Sequence, residues 1–236
     1  MNLDVLAHEG VSASEAPFEV VERKGRGHPD TICDLIAEHV SKDLEQFYLR
    51  QCGRVLHYNV DKALLVGGRS EARGGGGSII EPAKFYLGDR AMFSLNGRRF
   101  DLDAVIEDSI SCWLKENLRF LRLNQNLVWH NEIKEGAAAL NGVEDRNLSN
   151  DTSVGVGYWP LSPLEQMTLA IEEHMNSSAF KRVHPASGED IKVMAIRRGK
   201  AIDIVLACAI RRPLRQRCGG LPDQENRDPQ RRDGLR

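Results

Sequence analysis

Residues 20–34 read Val-Val-Glu-Arg-Lys-Gly-Arg-Gly-His-Pro-Asp-Thr-Ile-Cys-Asp, the pattern of a strand end, a glycine turn and a helix start. Gly25 and Gly27 allow the backbone to turn or to approach a ligand closely, and Pro29 suits the first position of a helix. Asp30 and Asp34 lie one helical turn apart, and His28 stands at the helix mouth. A helix N-terminus offers unpaired N–H groups and a partial positive charge, which favours phosphate, and a carboxylate beside it can hold the phosphate's divalent cation. The stretch therefore reads as a metal–polyphosphate site with His28 and Asp30 at its centre. The plainer alternative is a Gly-x-Gly turn and a capped helix, a combination found in many folds.

Working outward, the helix after Pro29 is marked by Ile32, Ile36, Val40, Leu44 and Phe47, one apolar stripe running to about Arg50, with Gly53 as its stop. Phe18–Val21 is a short strand feeding the glycine turn. Val55–Val60 and Ala63–Val66 read as strands with Asp61-Lys62 between or within them. Gly67-Gly68 and Gly74–Gly77 are expected to break the next stretch into flexible loop, the latter either a mobile lid or an ordinary loop. Ile79-Ile80 and Lys84–Leu87 resume strand character, with Pro82 suggesting an edge or a bend. Asn96-Gly97 is a hairpin-turn signal. A second helix is expected over 102–121, a turn at 124–126 and a strand at 127–133. Residues 135–147 mix helix-favouring alanines with glycines and polar residues. The run at 150–158 alternates small and apolar residues, as a strand passing close to a ligand would. Ser162-Pro163 with Glu165 starts a third helix, and 190–196 with 201–210 form a strand pair turning at Arg198-Gly199-Lys200.

After Ile210 the character changes. Residues 211–236 carry eight arginines and almost no apolar pattern. Such a segment buries too little surface to offset its ordering entropy, so disorder is expected. A basic arm for nucleic acid or an acidic surface is one alternative, and a shifted reading frame another.

The whole chain has 236 residues, 41% of them hydrophobic and 28% charged, with a net charge of −2. Nothing in that balance announces nucleic acid, and no apolar run is long enough to span a bilayer. Residues 1–15 are polar and acidic, unlike a secretory signal, which points to the cytoplasm. The five cysteines are scattered without a Cys-x-x-Cys pair, so neither a disulfide framework nor a zinc site is indicated.

The opening stretch has companions. Glu-Arg-Lys-Gly-x-Gly-His-Pro-Asp-x-Ile-Cys-Asp at 22–34 is followed by Asn-Val-Asp and Leu-Leu-Val-Gly-Gly at 59–68, and by Gly-Gly-Gly-x-Ile-Ile-x-Pro at 75–82. Asn-Asp-Thr-Ser-x-Gly-Val-Gly-Tyr-x-Pro-Leu-Ser at 150–162 and Gly-Glu-Asp-Ile-Lys-Val-Met at 188–194 come next. Five motifs in this order closely resemble the archaeal-type S-adenosylmethionine synthetases (methionine adenosyltransferases).

That resemblance implies an α+β fold, with sheets backed by helices repeated about a pseudo-threefold axis and active sites shared between two subunits of a homodimer. It divides the chain into a lead-in at 1–17, a first repeat at 18–147, an incomplete second repeat at 148–210 and the tail. It implies the reaction of ATP with L-methionine, the sulfur displacing triphosphate from C5′, and Mg²⁺ as cofactor with K⁺ as a second cation to consider. By the same resemblance His28 sits at the bridging oxygen and Lys192 contacts a phosphate. Asp30 binds Mg²⁺, with Asp61 a weaker cation candidate. Glu22, Lys24, Asp151, Asp190, Gly75 and Gly76 bind ATP or methionine.

Two departures stand out. The family's Ile-Gly-Gln-Gly-Ser-x-Asp is Ile-Lys-Glu-Gly-Ala-Ala-Ala at 133–139. Nothing after Ile210 matches the family's glycine-rich Gly-Asp-Asp-Gly-x-x-Gly-Arg-Gly-Asn segment, so a third repeat is expected to be missing. A catalytically inactive or partner-dependent homologue is the alternative reading.

Overall fold

The structure is a computed structural model that describes residues 4, 10–73, 76–136 and 157–210. Asp151, Gly75, all but the last two residues of the strand expected at 150–158, nearly all of the ambiguous 135–147 stretch and the arginine-rich tail lie outside the described residues; Gly157 and Tyr158 are not in a strand. The fold is α+β, with mixed helices and sheets.

Strand β1 (Phe18–Lys24) runs through the turn at 25–28 into helix α1 (Pro29–Cys52). The helix ends where Gly53, in the left-handed region at φ 71°, returns its N–H to the Leu49 carbonyl. The stripe read from the sequence is its buried face: Ile36, Val40 and Leu44 are fully enclosed, joined by Tyr48, whose hydroxyl donates to the Met92 carbonyl at 2.8 Å. That face packs on a sheet of β2 (Tyr58–Val66), β5 (Ala83–Ala91) and β8 (Leu127–Glu135), in the order β2-β5-β8. Asp61 lies within β2, where the register against β5 shifts between Asn59 and Lys62. Helix α2 (Leu102–Asn117), capped by the Asp101 side chain, completes this layer with Ile106, Ile110, Trp113 and Leu114. It stops before residue 121 because Leu118 is already extended.

The segment expected to be loop at 67–77 is largely a hairpin, β3 (Arg69–Arg73) paired with β4 (Gly76–Glu81). Glycines lowered its strand signal, yet cross-strand backbone bonds do not depend on side chains, and Ile79 and Ile80 supply the β propensity. The short pair β6 (Ser94–Leu95) and β7 (Arg98–Arg99) turns at Asn96 (φ 51°) and Gly97 (φ 80°), as the Asn-Gly signal requires.

The second layer is a sheet of order β1-β9-β10, where β9 is Ser187–Arg198 and β10 is Ala201–Ile210. A strand near the start of the described chain thus pairs with one some 170 positions later, Lys24 opposite Lys192 and Phe18 opposite Arg198. Helix α3 (Pro163–Asn176) covers one face and is fixed by a full capping box between Ser162 and Glu165. Beneath it Ile191, Val193 and Ala195 are wholly buried. A short helix, α4 (Ser178–Val183), follows; six residues hold too few apolar periods to stand out in the sequence. Because side chains alternate along a strand, the register gives the opposite face Phe18, Val20, Glu22 and Lys24 from β1. Met194, Ile196 and Lys192 join them from β9, and Val205 from β10.

Candidate functional site

The glycine turn is where the two layers meet. Gly25 donates to the Ile191 carbonyl at 2.7 Å and Gly27 to the Glu189 carbonyl at 3.0 Å, so the turn continues the β1–β9 pairing right up to the helix. A Cβ on Gly27 would lie 2.5 Å from the Glu189 carbonyl carbon and 2.6 Å from the Asp190 nitrogen. Close backbone approach is therefore the reason for the glycine, but the partner is the chain's own β9 rather than a ligand. The consequence is that α1 begins beside Lys192.

His28 is the N-cap of α1: its Nδ1 accepts the Asp30 N–H at 3.2 Å. A neutral imidazole accepting at Nδ1 carries its proton on Nε2, so the cap fixes the tautomer that can donate outward. Around it charges alternate. Lys24 Nζ lies 2.5 Å from Asp30 Oδ2 and 3.9 Å from Glu22 Oε1, and Lys192 Nζ lies 2.7 Å from Glu22 Oε2. The hydrogen bond from Lys192 holds the Glu22 carboxyl below its ordinary range, and the bond from Lys24 does the same for Asp30. Asp30 in turn raises the Lys24 ammonium. Five residues singled out from the sequence, Glu22, Lys24, His28, Asp30 and Lys192, are thus gathered at one end of the uncovered sheet face.

Others are placed elsewhere. Asp190 opens, with Gly27, on a cavity of about 390 Å³ whose apolar walls include Ile32, Ile79, Leu118 and Phe120. The β3–β4 hairpin that begins β4 at Gly76 forms one side of it. Asp61 pairs with Lys62 at 2.6 Å and shares a cleft with Asp34 rather than with Asp30. Among the described residues no three His, Cys, Asp or Glu side chains gather at metal-holding distance. Asp30 is a single exposed carboxylate at a helix mouth. Mg²⁺ usually keeps several waters and takes one or two carboxylates plus phosphate oxygens. The donor set therefore fits a cation that arrives with a polyphosphate.

A residue the sequence reading passed over braces this end of the fold. Arg119, just beyond α2, donates to Glu189 and to the Ser187 carbonyl, tying the first layer to the start of β9 beside Asp190. Partners some 70 positions apart leave no local signal.

The mouth of α1 in this α+β chain thus combines a histidine cap, an Asp on the first turn and two lysines close by. Comparison with known proteins gives the class its name: the S-adenosylmethionine synthetase (AdoMet synthetase) family profile matches residues 1–216. The chain belongs to that family. It is 40% identical over 206 residues to the S-adenosylmethionine synthase of Hyperthermus butylicus, covering 83% of this chain and 50% of that one. It is 38% identical over 216 residues to that of Saccharolobus solfataricus, covering 88% and 54%. To the probable S-adenosylmethionine synthase of Aquifex aeolicus it is 42% identical over 202 residues, covering 83% and 50%. The chain spans about half the length of the curated relatives it matches. A solved S-adenosylmethionine synthetase from Campylobacter jejuni aligns at 14% identity with a TM-score of 0.45, covering 81% of this chain and 48% of that one. Among the described residues no helix is long and apolar enough to cross a membrane.

Proposed function

We propose that this chain takes part in forming S-adenosylmethionine from ATP and L-methionine, with release of pyrophosphate and phosphate. The observation that carries the reading is the cluster at the mouth of α1, in a chain whose family performs that chemistry. A neutral thioether needs no base; the site's work is to align sulfur, C5′ and leaving oxygen and to stabilise charge growing on the triphosphate. His28, its proton held on Nε2 by the cap, donates to the bridging oxygen as that charge develops. Lys192 and the free N–H groups of α1 receive phosphate oxygens, and Asp30 holds Mg²⁺, which supplies charge neutralisation when bound. The Lys24–Asp30 pair is exposed, so a cation entering with the nucleotide meets little resistance in separating it.

Glu22, Asp151 and Asp190 receive the polar groups of methionine and ribose, the cavity beside Asp190 supplying apolar walls for the nucleoside. Gly76 begins β4 of the hairpin that borders that cavity; Gly75 is assigned with it to ATP or methionine binding, and Asp61 is a subsidiary cation site. The bare sheet face bearing Phe18, Val20 and Val205, each more than half exposed, favours burial against a second copy. The proposal thus includes a homodimer with the site at its interface and repeats about a pseudo-threefold axis.

The test is incubation of the purified chain with ATP, Mg²⁺, K⁺ and labelled methionine, alone and with the portion of the Hyperthermus butylicus relative that this chain does not cover. Labelled S-adenosylmethionine is expected in at least the combined reaction. Its absence in both at high protein concentration refutes turnover. It would leave the second reading, a nucleotide-binding or dimerising homologue, which equilibrium dialysis with ATP examines.

A further inference from the structure

On the helical side of the glycine turn lies a polar cavity of about 490 Å³, within the range of small-ligand sites. Its walls come from the turn, the first turns of α1, the last turn of α3 and the residues after it. The two long helices present opposite ends to this space. The N-terminal end of α1, at Thr31, carries the positive end of a helix dipole, and the C-terminal end of α3, at Glu173 and Asn176, carries the negative end.

The side chains repeat that polarity. Arg26 is exposed and makes no ion pair or side-chain hydrogen bond among the described residues, whereas Arg23 is paired with the buried Glu172 at 3.7 Å and Lys24 with Asp30. On the other wall Glu173 is an exposed carboxylate without an ion pair among the described residues. Three positions on, and so on the same side of α3, Asn176 holds a buried Oδ1 with no hydrogen-bond partner. The assignment of its amide nitrogen and oxygen follows from behind, since Nδ2 donates to Glu172 Oε1 at 2.7 Å and a flipped amide would set two oxygens together. A buried acceptor without a donor costs free energy until something supplies one. Between the two poles Leu35, 39% exposed, offers an apolar surface.

The geometry points to a binding site for the zwitterionic head of an α-amino acid, its carboxylate on Arg26, its ammonium on Glu173 and Asn176 Oδ1, its side chain against Leu35. This site lies on the far side of β1 from the Glu22–Lys192 pair, with Lys24 bordering both, and the proposed reaction does not require it. A simple anion would leave Asn176 and Glu173 unanswered, and a simple cation would leave Arg26 so.

The probe is L-leucine, which has no sulfur to engage a methionine subsite, titrated into the full chain without ATP and followed by the Asn176 side-chain amide resonances. Millimolar saturation is expected, with the Asn176 amide shifting. Arg26→Gln, an exposed change checked for an unaltered circular dichroism spectrum, should weaken binding about tenfold or more through loss of a charge-assisted bond. E173Q should weaken it severalfold. The half-ligands 4-methylpentanoate and 3-methylbutylamine should each bind more weakly than leucine. No saturation by leucine, an R26Q affinity equal to the parent's, or 4-methylpentanoate binding as tightly as leucine would each overturn the assignment. The outcome is independent of turnover, so it stands or falls apart from the proposed reaction.

Discussion

Replacing Gly27 with Ala should damage this protein far more than its exposed, polar setting in the sequence suggests. The added Cβ would lie 2.5 Å from the Glu189 carbonyl carbon and 2.6 Å from the Asp190 nitrogen. Carbon contacts relax at about 3.5–4.0 Å, so the turn and β9 must separate by roughly 1 Å. Both clashing atoms belong to backbone, and no rotamer change relieves them. The separation also stretches the 3.0 Å bond from Gly27 to the Glu189 carbonyl. Overpacking of this kind costs about 1–3 kcal/mol and a lost hydrogen bond about 0.5–1.5 kcal/mol, giving about 2–4 kcal/mol together. With a urea slope of roughly 2 kcal/mol/M the midpoint should fall by about 1–2 M.

Gly25→Ala is the internal control. Its Cβ would meet Asn176 Nδ2 at 2.6 Å, the end of a side chain that can swing, and two oxygens at 3.1 Å that need give only a few tenths of an ångström. It should cost about 1 kcal/mol, the lower end of the overpacking range. Urea unfolding followed by tryptophan fluorescence measures both. A G27A midpoint equal to the parent's, or G25A proving the costlier, would refute the argument that the turn is held against β9.

Three further outcomes follow from the same contacts. Loss of the N-cap in His28→Ala should cost about 1 kcal/mol in thermal unfolding, whereas His28→Asn keeps a capping oxygen and most of the stability. On the proposed reaction H28N should still lose about 10²–10³ in turnover, the usual cost of removing a transition-state donor; stability and activity falling together in both variants would contradict that split. Glu19, buried, binds Ser162 Oγ at 2.5 Å and Arg197 at 3.2 Å, and Glu19→Ala should destabilise the β1–β9 sheet by about 3 kcal/mol in urea unfolding by leaving Arg197 unpaired. Asp30 titrates below its ordinary value of 3.8 because of Lys24, so its contribution is present above that value and is lost as pH falls through the lowered one. Lys24→Met should therefore move the Asp30 carboxyl titration upward, read by carbon NMR, and an unchanged midpoint would mean that the pair is not formed in solution.

How much of this was legible beforehand depended on the range over which each feature is encoded. The α1 stripe, the Pro29 start, the Gly53 stop and the Ser162–Glu165 capping box are all written within a few residues, and the structure reproduces each of them. The residue types at the helix mouth were legible too, as was the need for Gly25 and Gly27. What those glycines approach was not, because the answer lies in Ile191 and Glu189, more than 160 positions away. The Arg119–Glu189 brace and the pairing of β1 with β9 were hidden for the same reason. The β3–β4 hairpin was missed on a different ground, since glycine-rich strands carry little side-chain signal while their backbone bonds form regardless. That difference bears on function. The local code supplies His28, Asp30 and the helix N-terminus as a half-site in any fold with such a turn, but only the distant strand brings Lys192 to Glu22 and sets a second cation beside Lys24. The charge arrangement at the mouth of α1 is therefore a property of the β1–β9 pairing, and on the proposed function substitutions that loosen that pairing, G27A first among them, should weaken nucleotide binding without altering any of the charged side chains gathered there.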